Sequence, residues 1–142
     1  MKISFNFLEK TSLSHRVALR SFMGRIFEME QCKAGQVNFI FCSDDYILEI
    51  NKNYLQHDYF TDIITFDLSA EGSASIDAEI YISVDTVKDN ATRFETTFTR
   101  ELHRVMFHGL LHLIGYDDKT PSHQLEMTEK EEFYLQLYLG QP

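Results

Sequence analysis

Tryptophan is absent from this 142-residue chain, and proline, cysteine and glycine are scarce at two, two and six residues. Each shortage removes a class of protein. So little proline and glycine excludes a collagen-like, polyproline or low-complexity linker chain. Cys32 and Cys42 can close one bridge at most, which excludes a disulfide-stapled scaffold, and both read as reduced core thiols. No apolar run approaches the roughly 20 residues of a membrane span. The opening Met1-Lys-Ile-Ser-Phe-Asn-Phe lacks the apolar stretch of a signal peptide. A cytoplasmic protein with no membrane partner is the expectation.

Basic residues are also in short supply. Thirteen Lys and Arg face 22 Asp and Glu, for a net charge of −9, which weighs against indiscriminate nucleic-acid binding and against DNA as a partner. The charge is uneven. Residues 1–33 carry six bases against three acids, and the remainder carries seven against 19. Arg16 and Arg20 fall one helical turn apart in the basic part, as either a basic face or an ordinary solvated one. What the chain does have is 44% hydrophobic residues, enough for one domain over 1–142 with its own core.

Alternation over 2–7 predicts a first strand, with Ile3, Phe5 and Phe7 on one side. Ser12 or Ser14 offers an N-cap for a long helix whose stripe is Val17, Leu19, Phe22, Met23, Ile26 and Phe27. Lys33-Ala-Gly-Gln breaks it. Val37–Cys42 reads as a strand, Ser43 opens a helix through Tyr54 with Ile47, Leu48, Ile50 and Tyr54 facing in, and 62–67 reads as a buried strand. A polar loop over Ser69–Asp77, with Gly72, leads to a strand over 78–83. Ser83 caps a short helix to about Phe94, threonines 96, 97 and 99 introduce a helix over 98–114, and Thr120-Pro121 starts a last helix to about Leu139. The pattern is α+β (mixed α/β): a small mixed four-stranded sheet with about five helices.

The chemistry concentrates in His108-Gly-Leu-Leu-His112-Leu-Ile-Gly115-Tyr-Asp-Asp118. Histidines four apart share one helix face, because each residue turns the chain about 100°. Gly115 can take the left-handed conformation that stops a helix, so that Asp118 folds back toward both imidazoles. His108, His112 and Asp118 then form a three-ligand site with a position left for water, the pattern of a catalytic zinc, at the C-terminal end of a helix apolar nearly all round. Glu101 and Arg104 continue the polar stripe, as a ligand-orienting carboxylate and a phosphate-stabilising cation or as a buried ion pair. His103 lies about 140° round the helix from His108 and cannot share the site. His15, His57 and His123 read as surface residues, and Asp117 as a residue that shapes the turn. Zinc peptidases carry a glutamate general base directly after the first histidine. Gly109 stands there, which removes that base and predicts space beside the metal.

With these residues in view, the chain resembles the YbeY family of rRNA maturation endoribonucleases. The resemblance rests on 108–117, on Asn51-x-x-Tyr54 followed by Asp58-x-x-Thr61-Asp62-Ile-Ile-Thr-Phe66, on Ala78-Glu79-Ile80, and on Met127 and Glu131. It implies single-strand-specific, metal-dependent cleavage of RNA, maturation of the 3′ end of small-subunit (16S) rRNA, ribosome quality control, and the ribosome or its small subunit as partner. Asp118 stands where the family has its third metal histidine, which widens the metal choice from zinc to manganese or magnesium. Leu55 stands where the family has an arginine that engages RNA, so that contribution is either lost or supplied by Arg16, Arg20, Arg100 or Arg104. The alternatives are a ribosome-assembly factor with a structural metal and a metallopeptidase.

Overall fold

The computed structural model describes residues 2–55 and 61–140. His57 and Asp58, singled out above, lie outside the described residues. The order is β1 (Lys2–Phe7), α1 (Arg16–Met29), β2 (Ala34–Cys42), α2 (Asp44–Ile50) running into a π-helical turn (Asn51–Leu55), β3 (Ile63–Asp67), β4 (Ile76–Ser83), α3 (Val84–Arg93), α4 (Phe98–Ile114) and α5 (Pro121–Leu139). The strands form one sheet in the order β1-β2-β4-β3. β1, β2 and β4 run parallel, and β3 is an antiparallel edge. This is the mixed four-stranded α+β domain that the sequence predicts.

Alternation divides the sheet into two faces. Ile3, Val37, Phe39, Phe41, Ala78, Ile80 and Ile82 are buried and join residues of α1, α4 and α5 in the main core, apart from Ala78. Phe22 of α1 meets Phe107 of α4 and Tyr138 of α5 at ring separations of 5.5 and 4.8 Å. On the opposite face Cys42, Ile47, Ile50 and Ile64 make a small second cluster under α2.

Helix ends follow local chemistry. The side chains of Ser43, Ser83, Thr97 and Thr120 each accept a hydrogen bond from the backbone N–H three residues on, satisfying donors that a helix start leaves free. α1 departs from the expected serine caps. His15, left-handed at φ 55°, is its N-cap and makes no side-chain cap bond.

Four further expectations are corrected. Val17 is 78% exposed, because it lies outside the i, i+3, i+4 stripe that begins at Leu19. The reversal after α1 is made by Gln31 at φ 59°, and Ala34-Gly35-Gln36 already belongs to β2. Tyr54 is 72% exposed, since the wider π turn breaks the α-helical period that would have turned it inward. β3 is half-buried rather than buried, with Ile64 its one fully buried residue, because an edge strand has a neighbour on one side only.

Gly109 is the close-approach point between α4 and the sheet. A Cβ there would lie 2.8 Å from Ile63 Cδ1 and 3.2 Å from Ile80 Cγ2. The glycine therefore faces packed side chains of β3 and β4, and the expected space beside the metal is not what it provides. Alanine regains about 1 kcal/mol of helix propensity, while overpacking costs about 1–3 kcal/mol. Gly109→Ala is expected to lose on the order of 1 kcal/mol in urea unfolding, and Gly109→Val more. A gain in stability for either variant would refute this packing account.

Candidate metal centre

α4 ends where its sequence says it should. Gly115 adopts φ 125°. Its N–H reaches the His112 carbonyl at 3.1 Å, and the Tyr116 N–H reaches the Leu111 carbonyl at 2.9 Å, a Schellman arrangement. Asp117 then accepts from the N–H groups of Asp118 (2.7 Å) and Lys119 (3.1 Å). The turn so built swings Asp118 back over the last turns of the helix.

The result is a compact donor set. Asp118 Oδ2 lies 3.5 Å from His108 Nε2 and 3.4 Å from His112 Nε2, with the two imidazoles 4.6 Å apart at 80°. One donor atom from each of the three residues falls within 4.8 Å of the others. Those separations exceed ordinary N–H···O bonds. They match the spacing of about 3.3–3.6 Å between neighbouring ligands arranged tetrahedrally at metal–ligand distances near 2.0–2.2 Å. The donor set fits a divalent metal ion on its own geometry.

The ring orientation comes from behind. His108 Nδ1 faces Glu131 Oε2 of α5 at 2.5 Å. A proton held on Nδ1 leaves the Nε2 lone pair directed at the cluster, the arrangement that metal-binding histidines share. Glu131 also receives Arg104 Nη1 at 3.1 Å, and Arg104 grips Glu101 through two bonds of 2.8 and 2.6 Å. The Glu101 and Glu131 carboxylates hold the Arg104 guanidinium strongly protonated, raised above its ordinary value chiefly by the bond to Glu101. Arg104 and Glu101 are thus a buried ion pair, and the residue that orients His108 is Glu131. The sequence carried one sign of this, because Glu131 shares its helix stripe with buried Met127, Tyr134 and Leu135.

The other sequence candidates are placed as follows. Arg16 and Arg20 lie against β1, at the sheet edge remote from β3. Their guanidinium groups stack over Phe7 and Phe5 at 4.6 and 4.9 Å, and their Nε atoms donate to the carbonyls of Leu13 and Ile3. Arg100 pairs with Glu132 at 2.8 Å. His103 is buried against Phe107 and Tyr138, and burial pushes its pKa down to about 4, so it is a neutral core residue. His15 and His123 are exposed.

The donor set opens into a cleft of about 620 Å³ between β3, the π turn and the end of α4, whose lining includes Asn51, Leu55, Asp62, Thr65 and Asp67. Burial raises the Asp62 carboxyl above its ordinary range, opposed chiefly by the charge of Arg104. A second carboxylate braces the site from below. Glu30 at the end of α1 accepts from Tyr116 (2.6 Å), from Lys130 (3.1 Å) and from the Tyr134 hydroxyl.

A small mixed-sheet domain with a His-x-x-x-His helix and a carboxylate returned by a glycine turn defines a hydrolase with, among the described residues, one candidate metal centre. Residues 5–138 match the family model described as Endoribonuclease YbeY. An Endoribonuclease YbeY from Cytophaga hutchinsonii is 46% identical over 135 residues, covering 94% of each chain. One from Phocaeicola vulgatus is 50% identical over 117 residues, covering 80% of this chain and 83% of the other. A Thermotoga maritima protein with a solution structure superposes with a TM-score of 0.66 at 31% identity, over 97% of this chain and 89% of that one. The chain belongs to the YbeY endoribonuclease family, whose members are hydrolases that cleave RNA.

The Glu30 brace has a defined pH signature. Burial raises the Glu30 pKa, but the three donors outweigh it, and the carboxyl sits below the ordinary 4.5. A lowered folded-state pKa stabilises the fold above the unfolded value and is lost as pH falls through the folded one. Glu30→Gln should cost on the order of 2 kcal/mol near neutrality. In urea unfolding across a pH series, the gap to wild type should close as pH drops below 4.5. A gap independent of pH would show that the charge on Glu30 contributes nothing.

Proposed function

We propose that this chain is a single-strand-specific, metal-dependent endoribonuclease acting in maturation of the 3′ end of small-subunit (16S) rRNA and in ribosome quality control. Its partners are rRNA and the small ribosomal subunit, and it works in the cytoplasm. His108, His112 and Asp118 hold one ion, with zinc the first choice from the two imidazoles. The observation that carries this reading is the convergence of three donor atoms within 4.8 Å on a cleft large enough for a nucleotide.

A bound zinc would supply a water of lowered pKa and polarise a phosphoryl oxygen. The chain's own residues do the rest. Glu131 fixes the His108 ring, and Arg104 pairs with the other oxygen of Glu131. Ile63 and Leu113 form apolar wall beside the imidazoles. Among the described cleft carboxylates outside the donor set, Asp62 is half-buried and Asp67 is exposed. Asp62 accepts from Asn90 Nδ2 at 3.3 Å and lines the cleft beside His108, a position from which a carboxylate can take a proton from an attacking hydroxyl. Gly109 faces the sheet, so no glutamate base of the peptidase kind stands beside the donors.

His112→Ala should lose tight metal binding and cleavage of single-stranded RNA together, by more than the roughly 10–100-fold that loss of an outer partner costs. Chelation should remove cleavage while far-UV circular dichroism stays folded. Cleavage that survives chelation, or unfolding on chelation, would instead favour an assembly factor with a structural metal. Asp118→His substitutes a softer donor for a hard carboxylate. Competition titration should then show tighter zinc and weaker manganese binding than in wild type. An unchanged preference would exclude Asp118 from the donor set.

A further inference from the structure

The face of β3 and β4 turned away from α4 carries a second cleft of about 340 Å³, within the size range of small-ligand sites. Its walls are mainly aromatic. Tyr46 stacks with Tyr81 at 6.3 Å, Phe66 meets Tyr81 edge-on at 5.9 Å, and Tyr54 meets Phe66 edge-on at 6.2 Å. Tyr54 is 72% exposed, Leu68 56% and Tyr46 44%, a concentration of open apolar surface that a folded domain rarely leaves without use. One carboxylate stands among the rings. Glu79 accepts from the Tyr81 hydroxyl at 3.2 Å and keeps lone pairs for a further donor.

Position ties this cleft to the metal centre. In the π-turn region Asn51 and Leu55 line the metal cleft while Ile50 and Tyr54 line the aromatic one. β3 lends Thr65 to the first and Phe66 to the second. Among the described residues β3 pairs with β4 alone in the sheet, and the two clefts lie on either face of that edge, so a strand of RNA crossing it would pass from one cleft to the other.

Resting on the endoribonuclease reading above, we propose that the aromatic cleft is a base-binding subsite for a guanine next to the cleaved phosphodiester. Exposed rings stack on any base, and unpaired bases of single-stranded RNA are free to turn into such a pocket. The carboxylate supplies the selectivity. Glu79 repels phosphate, so the base enters rather than the backbone. An acceptor-only group suits an edge with two adjacent N–H donors, which guanine presents at N1 and N2 and uracil and adenine do not.

The test uses the full chain loaded with zinc and a set of single-stranded oligoribonucleotides, each with one guanine at a different distance from the cut. Wild type should cleave best with guanine at one fixed position. Inosine there, which lacks the N2 amine, should raise KM, and adenine should raise it further. Tyr54→Ala, at an exposed position that leaves the core intact, should raise KM about tenfold with kcat unchanged. Glu79→Gln should cleave guanine- and adenine-containing substrates alike. Tyr46→Ala gives a second exposed variant with the same expected KM effect. Cleavage without base preference, or variants with wild-type KM, would overturn the subsite and leave the nuclease reading standing. No cleavage of any oligonucleotide would overturn the nuclease reading itself. A preference for guanine kept in Glu79→Gln would overturn the role of the carboxylate.

Discussion

Arg104 is the point on which the arrangement of helices depends. α4 is buried on nearly every side and still carries Glu101, Arg104, His108 and His112 along one line. Charges taken out of water must be paired, or they cost several kcal/mol each. Arg104 answers Glu101 within the helix and Glu131 across from α5, and Glu131 in turn answers His108. The contact that neutralises α4 is therefore the one that seats α5 and aims a ligand imidazole. With Asp62 Oδ2 3.9 Å away, three carboxylates surround a single guanidinium. The excess of negative charge beside His108 prepares the outer side of that imidazole for a cation.

The sheet contributes close approach. α4 reaches β3 and β4 through Gly109, where a side chain would collide with Ile63 and Ile80. That packing brings the helix end to the β3 edge of the sheet, and the cleft is the space left between them. At that same end of the helix the Gly115 turn is tied down by Tyr116 on Glu30, so α1, α4 and α5 together fix where Asp118 stands.

Much of this was legible in the chain. The capping serines and threonines, the proline at the start of α5 and the stop at Gly115 act through neighbours in sequence, and they mark the helix boundaries directly. The three ligating candidates were legible for the same reason, because His108, His112 and Asp118 lie within one helix turn and the loop after it. What escaped was whatever depends on partners far along the chain. Glu131 sits 23 residues from His108, and the resemblance picked out the residue without its role. Gly109 read as a missing base, since no local pattern reveals Ile63 and Ile80 opposite it. Tyr54 was turned outward by a π turn that has no simple sequence signature. Arg16 and Arg20 stayed open between a basic face and a solvated one because the rings of Phe5 and Phe7 beneath them come from β1.

The described lining of the metal cleft contains Asp62, Asp67 and Asp118 and no lysine or arginine, on a chain of net charge −9. Nucleic-acid enzymes ordinarily lose affinity as salt rises, because their cations displace counterions from phosphate. The described lining therefore gives phosphate no long-range pull of its own, and a cation held by His108, His112 and Asp118 would be the first positive charge that RNA meets there.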